Sequence, residues 1–333
     1  MRFSTSAFAP ACTSPNHCEA DPLRLYPDAS DGEAAVTRYR VFPGMELDYR
    51  DVHARACREL RDGSGERLEI PHCLEGRVEY RQNGRYFYLS PGDLAVARTS
   101  SLPPDSRFPT GHYHGITVTI DPAAAPECLS CILSDVEVRP AALMEKLCPG
   151  GTVFTARSSR RVKHVFSELY AVPEDIRKGY LKVKLLELLL FLSTLSPEDG
   201  QTPHGCTAAQ VSLAEQVKAR LLAESDRTLT LKSLSQQFNV SEAQIKSSFT
   251  GVYGMSPAAY ARSQRMHGAA ALMRETDRTV LDIACQFGYD NASKFARAFR
   301  DVIGVSPREY RAGAEYDSCA PQLGKKTGFP LGC

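Results

Sequence analysis

A chain of 333 residues, 43% hydrophobic and 24% charged, is long enough to fill two domain-sized cores. Its formal charge of +1 excludes a dense polybasic or polyacidic protein, so no overall field of one sign is available to hold a charged partner. The most apolar run, Leu185 to Leu192, is short and carries Glu187, which argues against a membrane span. The N-terminus has no continuous apolar segment of the kind that directs secretion, and a cytoplasmic location is expected.

Eleven cysteines stand at irregular spacings, and the only CxxC is Cys128 to Cys131, with no second pair at zinc-ligand spacing. An odd total without a secretion signal predicts reduced thiols, mostly buried as small hydrophobes. A thiol redox sensor is the alternative.

In chain order, residues 1–35 read as a tail. Residues 36–195 open as β structure: LEIPHCLEGRVEYRQNGRYFYLSPGDLAVARTS and FPTGHYHGITVTID are short alternating runs rich in Val, Ile, Tyr and Phe, broken by glycine turns. Asn83-Gly84 between two such runs predicts a type I′ hairpin, whose central residues both need positive φ. Many short strands at this spacing predict a barrel or jelly roll. The phrase YLSPGDLAV is similar to the second half of a cupin-type barrel, and the resemblance covers about residues 38–121.

A cupin enzyme holds a metal with two or three histidines and a carboxylate. His112 and His114, two apart on a strand, are expected to face one side, with His72 on another strand, but the HxH followed by a nearby Glu is missing from the first half. No metal and no cofactor are therefore expected. A metal-dependent enzyme, or a metal or redox sensor using these histidines or the cysteines, remains the alternative function. Barrel mouths are common small-molecule sites, and Arg77, Tyr80, Arg98 and Tyr113 are the candidate effector contacts.

Two helices are predicted next. Ser159 to Tyr170 places Val162, Phe166 and Leu169 on one face. Glu174 to Leu195 is apolar nearly all round and has to bury two sides, one over the barrel and one in a dimer seam; a purely intramolecular core helix is the alternative. Residues 196–210, with Pro197, Gly200, Pro203 and Gly205, read as a flexible linker.

Residues 211–313 say one thing twice. LKSLSQQFNVSEAQIKSSFTGVYGMSPAAYAR and LDIACQFGYDNASKFARAFRDVIGVSPREYR align Leu234, Phe238, Ile245, Phe249, Gly254, Ser256, Pro257 and Tyr260 with Ile283, Phe287, Phe295, Phe299, Gly304, Ser306, Pro307 and Tyr310, with one extra residue near Asp290. Each copy reads as a short helix, a turn and a second helix, capped by Ser241 in the first copy and by Asp290 or Asn291 in the second. Gly254 and Gly304 end the second helices, and Ser-Pro starts another. A long helix from Pro257 to about Met273 joins the copies.

That grammar is a helix-turn-helix, whose second helix enters a DNA major groove. The outward face carries Ala243, Lys246, Ser247 and Thr250 in the first copy, and Ser293, Ala296, Arg297 and Arg300 in the second. From Thr207 to Gly313 there are 14 Lys and Arg against 10 Asp and Glu, a net of +4, whereas the remainder has 26 against 29. Residues from Val211 to Arg311 resemble the DNA-binding domain of the AraC/XylS family of bacterial transcription regulators, most specifically IACQFGYDNASKFARAFRDVIGVSPREYR.

The resemblance implies a multidomain α and β chain: an N-terminal cupin-like β-barrel with flanking helices, then an all-α domain of two helix-turn-helix units. It maps base reading onto Ala243, Lys246, Ser247, Ala292, Ser293 and Arg297. The two alanines are poor donors, so readout is expected to lean on shape and phosphate contacts. The implied partners are a double-stranded DNA operator, a small-molecule effector in the sensor half, a second copy in a homodimer, and RNA polymerase, with no membrane. Residues 314–333 read as a tail.

Overall fold

The computed structural model describes residues 22–59, 65–126, 138–200, 205–223 and 230–317. It divides into two compact units, Met1–Thr207 and Ala208–Cys333.

The first unit is strand-rich. Its strands are β1 (Leu23–Leu25), β2 (Glu33–Phe42), β3 (Met45–His53), β4 (Ala56–Arg58), β5 (Leu68–Gly76), β6 (Val78–Gln82), β7 (Arg85–Leu89), β8 (Leu94–Arg98), β9 (Asp105–Arg107), β10 (Tyr113–Ile120) and β11 (Phe154–Ala156). A seven-stranded sheet runs β1-β2-β3-β10-β5-β8-β11, and a four-stranded sheet runs β4-β9-β6-β7. The pairings are antiparallel.

The expected closed barrel is not what forms. Among the described residues neither sheet closes on itself, because β1 and β11 end one and β4 and β7 end the other. The tail expected before residue 36 also holds β1 and the start of β2, since Leu23 to Leu25 add to the edge opposite Val36 to Arg38. The hairpin turn is as expected: Asn83 and Gly84 sit at φ 51° and 72° between the paired Gln82 and Arg85.

Alternation sorts the strand residues into two cores. Ala34, Val52, Ala54, Cys73, Val78, Leu89, Phe108 and Tyr113 form one. The other takes Leu47, Ile70, Val96, Ile116 and Val118 and covers them with α1 (Pro140–Leu147), α2 (Arg160–Ser167) and α3 (Arg177–Thr194). From these helices Leu143, Phe166, Leu185, Leu188 and Leu192 are buried there, each worth about 1.5–3 kcal/mol of apolar burial. Ser159 caps α2 by accepting the Val162 amide at 3.2 Å.

The expected linker is partly packed. Backbone hydrogen bonds of 2.9 and 2.8 Å tie Cys206 to Tyr86 on the β7 edge, and Gly205 lies where a Cβ would meet the Phe87 ring at 2.7 Å. Residues 201–204 lie outside the described residues.

The second unit is helical: α4 (Ala208–Ala223), α5 (Leu231–Phe238), α6 (Glu242–Tyr253), α7 (Pro257–Glu275), α8 (Val280–Gln286), α9 (Ala292–Ile303) and α10 (Pro307–Asp317). Ile245, Phe249 and Val252 of α6 are buried with Leu234 of α5 and with Ala214 and Val217 of α4, which packs on α6. Met266, Ala269, Met273, Ile283, Phe295 and Phe299 form the corresponding core of the second half. Gly268 inside α7 has a packing reason, because a Cβ there would stand 3.0 Å from the Phe287 ring.

Candidate nucleic-acid interface

The repeat becomes geometry through its turns. Asn239, left-handed at φ 52°, closes α5, and Val240 donates back to the Ser235 carbonyl at 3.1 Å. In the second copy Gly288 takes φ 79° and Tyr289 donates to the Ala284 carbonyl at 2.8 Å. Two residues, 239 and 240, separate Phe238 from its cap Ser241, whereas three, 288 to 290, separate Phe287 from its cap Asn291. The extra residue therefore sits in the turn and leaves both helix pairs intact.

Both outer helices are capped. Ser241 Oγ accepts the Gln244 amide at 3.1 Å, and Asn291 Oδ1 accepts the amides of Ser293 and Lys294 at 2.8 and 3.1 Å. Each helix ends on a left-handed glycine, Gly254 at φ 75° and Gly304 at φ 89°. Asn291 rather than Asp290 is the second cap.

With Ile245, Phe249, Phe295 and Phe299 buried, the opposite face of each helix is set by the 3.6-residue period. Ala243, Lys246, Ser247 and Thr250 are exposed on α6; Ala292, Ser293, Arg297 and Arg300 are exposed on α9, with Ala296 half-buried beside them. Lys294, which the sequence reading passed over, is exposed one turn from Arg297; the signal was a cation at i−3 in the capped first turn. Among the described residues, no hydrogen bond or ion pair occupies the side chains of Lys246, Lys294 or Arg297.

The first unit brings together only some of its predicted residues. A cavity of about 270 Å³ is lined by Tyr80, Gln82, Asn83, Phe87, Tyr88, Leu147, Thr152, Phe154 and Thr155, among others. Of the four effector candidates only Tyr80 lines it. Burial holds its phenol well above the ordinary pKa and therefore neutral. Arg77 lies behind, its guanidinium over the Tyr88 ring at 5.4 Å.

Arg98 is occupied elsewhere, donating to the Cys148 carbonyl at 3.0 Å and pairing with Glu145 at 2.7 Å. It holds the end of α1, a role that strand alternation could not show. Tyr113 is 2% exposed and stacks on Phe108 in the core between the sheets.

The histidines divide as well. His72 is 4% exposed, stacked at 4.1 Å on Phe166, with Nδ1 2.9 Å from the Tyr170 hydroxyl. Burial lowers its pKa to about 4, so the ring is neutral at pH 7. His112 precedes β10 and is lowered too, by burial first. His114 instead converges with Asp51 and His53, two residues no sequence argument had put beside it. The Asp51-x-His53 spacing, two apart on one strand, is the signal that could have found this pair, whereas their neighbour comes from another strand.

The CxxC at Cys128 and Cys131 lies outside the described residues. Cys57, Cys73, Cys148 and Cys206 are buried, and burial raises their thiol pKa, to about 11 for Cys57 and Cys148, which keeps them protonated. Cys285 is exposed.

Comparison with known proteins agrees with the helical geometry. A family model described as "Helix-turn-helix domain" matches residues 234–313. The transcriptional regulator Rob of Salmonella typhimurium is 31% identical over 93 residues, which are 28% of this chain and 32% of that protein. The chain thus spans about a third of Rob's length. The arabinose operon regulatory protein of the same organism is 24% identical over 259 residues, 73% of this chain and 82% of that one. Among solved structures, a probable AraC family transcriptional regulator from Rhodopseudomonas palustris shares 30% identity, with a TM-score of 0.29, covering 31% of this chain and 97% of the other.

Proposed function

We propose that the chain, through its C-terminal unit, is a helix-turn-helix protein of the AraC type, a DNA-binding transcription regulator whose N-terminal unit takes a small-molecule effector. The observation that carries the reading is the pair of capped helices α6 and α9, each with one face sunk in the core and the other turned to solvent. They act as two helix-turn-helix recognition helices. Arg297 and Lys246 read or anchor guanine and phosphate, Ser247, Thr250 and Ser293 give short polar contacts, and the small Ala243, Ala292 and Ala296 allow close approach. Lys294 and Arg300 hold phosphates on either side of Arg297.

In the N-terminal unit, which we take as cupin-like with its two facing sheets, the effector site is the cavity beside Tyr80 rather than the set of four residues expected from sequence. None of its lining residues is charged: the walls are Phe87, Leu147 and Phe154, with the Tyr80 hydroxyl, the Gln82 and Asn83 amides and two threonines as polar points. That chemistry suits a neutral, partly aromatic or aliphatic compound. The separation of His72 from His114 breaks up the histidine set expected of a cupin enzyme.

A homodimer is supported by the outward stripe of α3, where Val183 is 62% exposed and Leu186 and Leu190 are half-buried. Its inner face buries Leu181, Leu185, Leu188 and Leu192, and Lys184 is kept there by Glu168 at 3.0 Å and by Glu187. Replacing Leu186 and Leu190 with glutamate yields monomers on sedimentation. RNA polymerase is the remaining proposed partner.

The test of the reading is recovery of genomic DNA bound by the purified chain, with gel-shift titration of the fragment 208–333. Saturable binding to recurrent sites, weakened steeply by salt, is expected. A fragment that is helical by circular dichroism but binds no duplex at low salt overturns it.

A further inference from the structure

We infer that Asp51, His53 and His114 form a binding site for a divalent transition-metal ion of zinc type, at the solvent end of the seven-stranded sheet. β3 and β10 pair antiparallel with His114 directly opposite Asp51, and His53 lies two residues along β3. The strand period of two therefore puts all three side chains on one face. This is the face that carries Leu47 and Ile116 under the helices farther along, but here Asp51 and His53 are exposed and His114 is half-buried.

The donor atoms converge. Both imidazole Nε2 atoms approach the same carboxylate oxygen: Asp51 Oδ1 is 3.0 Å from His53 and 3.5 Å from His114. The three ligand atoms lie within 4.8 Å of one another. Bonds of about 2.0–2.1 Å at tetrahedral angles separate neighbouring donors by about 3.3 Å, so an ion needs only small side-chain rotations to reach all three. The two rings already stand edge to face, with centroids 5.2 Å apart.

The adjacent strands reinforce the charge. Glu33 on β2 stands opposite His53, and Glu75 on β5 stands opposite His114, so a cation here is flanked by two further carboxylates. Two imidazoles and one carboxylate select zinc, cobalt or nickel over magnesium or calcium, which take oxygen ligands. Three protein donors leave a fourth position for water or an outside ligand. The ion joins the end of β3 to β10 and stabilises the N-terminal unit by mass action. None of the three residues lines the cavity beside Tyr80, so this site and the effector site can be tested separately.

The experiment titrates zinc chloride into tag-free, chelator-treated full-length chain by calorimetry, with cobalt(II) as the spectroscopic probe. One equivalent per chain is expected, with d–d bands free of thiolate charge transfer, a raised melting temperature, and no competition from magnesium. His53→Ala and His114→Ala each weaken binding by about tenfold or more. Asp51→Asn, which keeps the side-chain shape, serves the same purpose if an alanine variant fails to fold. Equal affinity in the variants, a thiolate signature pointing to cysteines, or no binding at micromolar zinc overturns the site. DNA binding by fragment 208–333 is unaffected by any of these outcomes.

Discussion

The two helix pairs of the C-terminal unit are the same object inside and different objects outside. Inward, α6 buries Ile245 and Phe249 against Tyr253 and Tyr260, and α9 buries Phe295 and Phe299 against Tyr310, with ring pairs between 4.5 and 5.7 Å in both. Outward, α6 offers one cation, Lys246, among hydroxyls and alanine, whereas α9 offers Lys294, Arg297 and Arg300. Packing demands shape complementarity at every repeat of a fold, while a solvent face carries no such demand and is free to diverge. On the proposed reading two structurally equal helices divide the work, α9 specifying through Arg297 and α6 gripping through Lys246.

The largest effect should strike both halves alike. Phe249→Ala and Phe299→Ala each leave a cavity in a fully buried site and cost about 3–5 kcal/mol, read as the denaturation midpoint of fragment 208–333. If one variant loses less than 1 kcal/mol, the equivalence of the two cores fails.

Next in size is the asymmetry of the outward faces. Arg297→Ala is expected to cost about 1–3 kcal/mol at a cognate site and to relax preference at one base position on a randomised library. Lys246→Ala should weaken all sequences alike and lower the salt slope by about one. A position-specific loss from Lys246→Ala, with none from Arg297→Ala, would reverse the roles.

The caps give the smallest effect and the finest comparison. Ser241→Ala and Asn291→Ala should each cost about 0.5–2 kcal/mol, with the larger loss at Asn291, which satisfies two amides where Ser241 satisfies one. Thermal melts of the two variants decide the order.

The helices, caps and turns of residues 231–317 were legible because their causes are local. Ser241, Gly254, Asn291 and Gly304 act on amides and carbonyls within four residues, and Ile245 and Phe249 show their shared face by spacing alone. Asn83-Gly84 was legible for the same reason. Even here one contact was not: no spacing within α7 places the ring of Phe287 against Gly268.

The sequence by itself therefore determined the helices and turns of residues 231–317, the Asn83-Gly84 hairpin, α2 and α3, and which side of α6 and α9 faces outward, since all of this follows from periodicities and caps within a few residues; it marked neither β1 nor α1 nor β11. Only the tertiary structure decided what stands beside what in the sheets. β10 lies between β3 and β5, so His114 meets Asp51 across more than sixty positions of chain, while His72, on the neighbouring strand, turns under Phe166. Arg98, a candidate effector contact at a barrel mouth, pairs instead with Glu145 of α1, a helix whose placement no local spacing gives. Strand register is settled by pairing between distant segments, and no spacing within one segment encodes it.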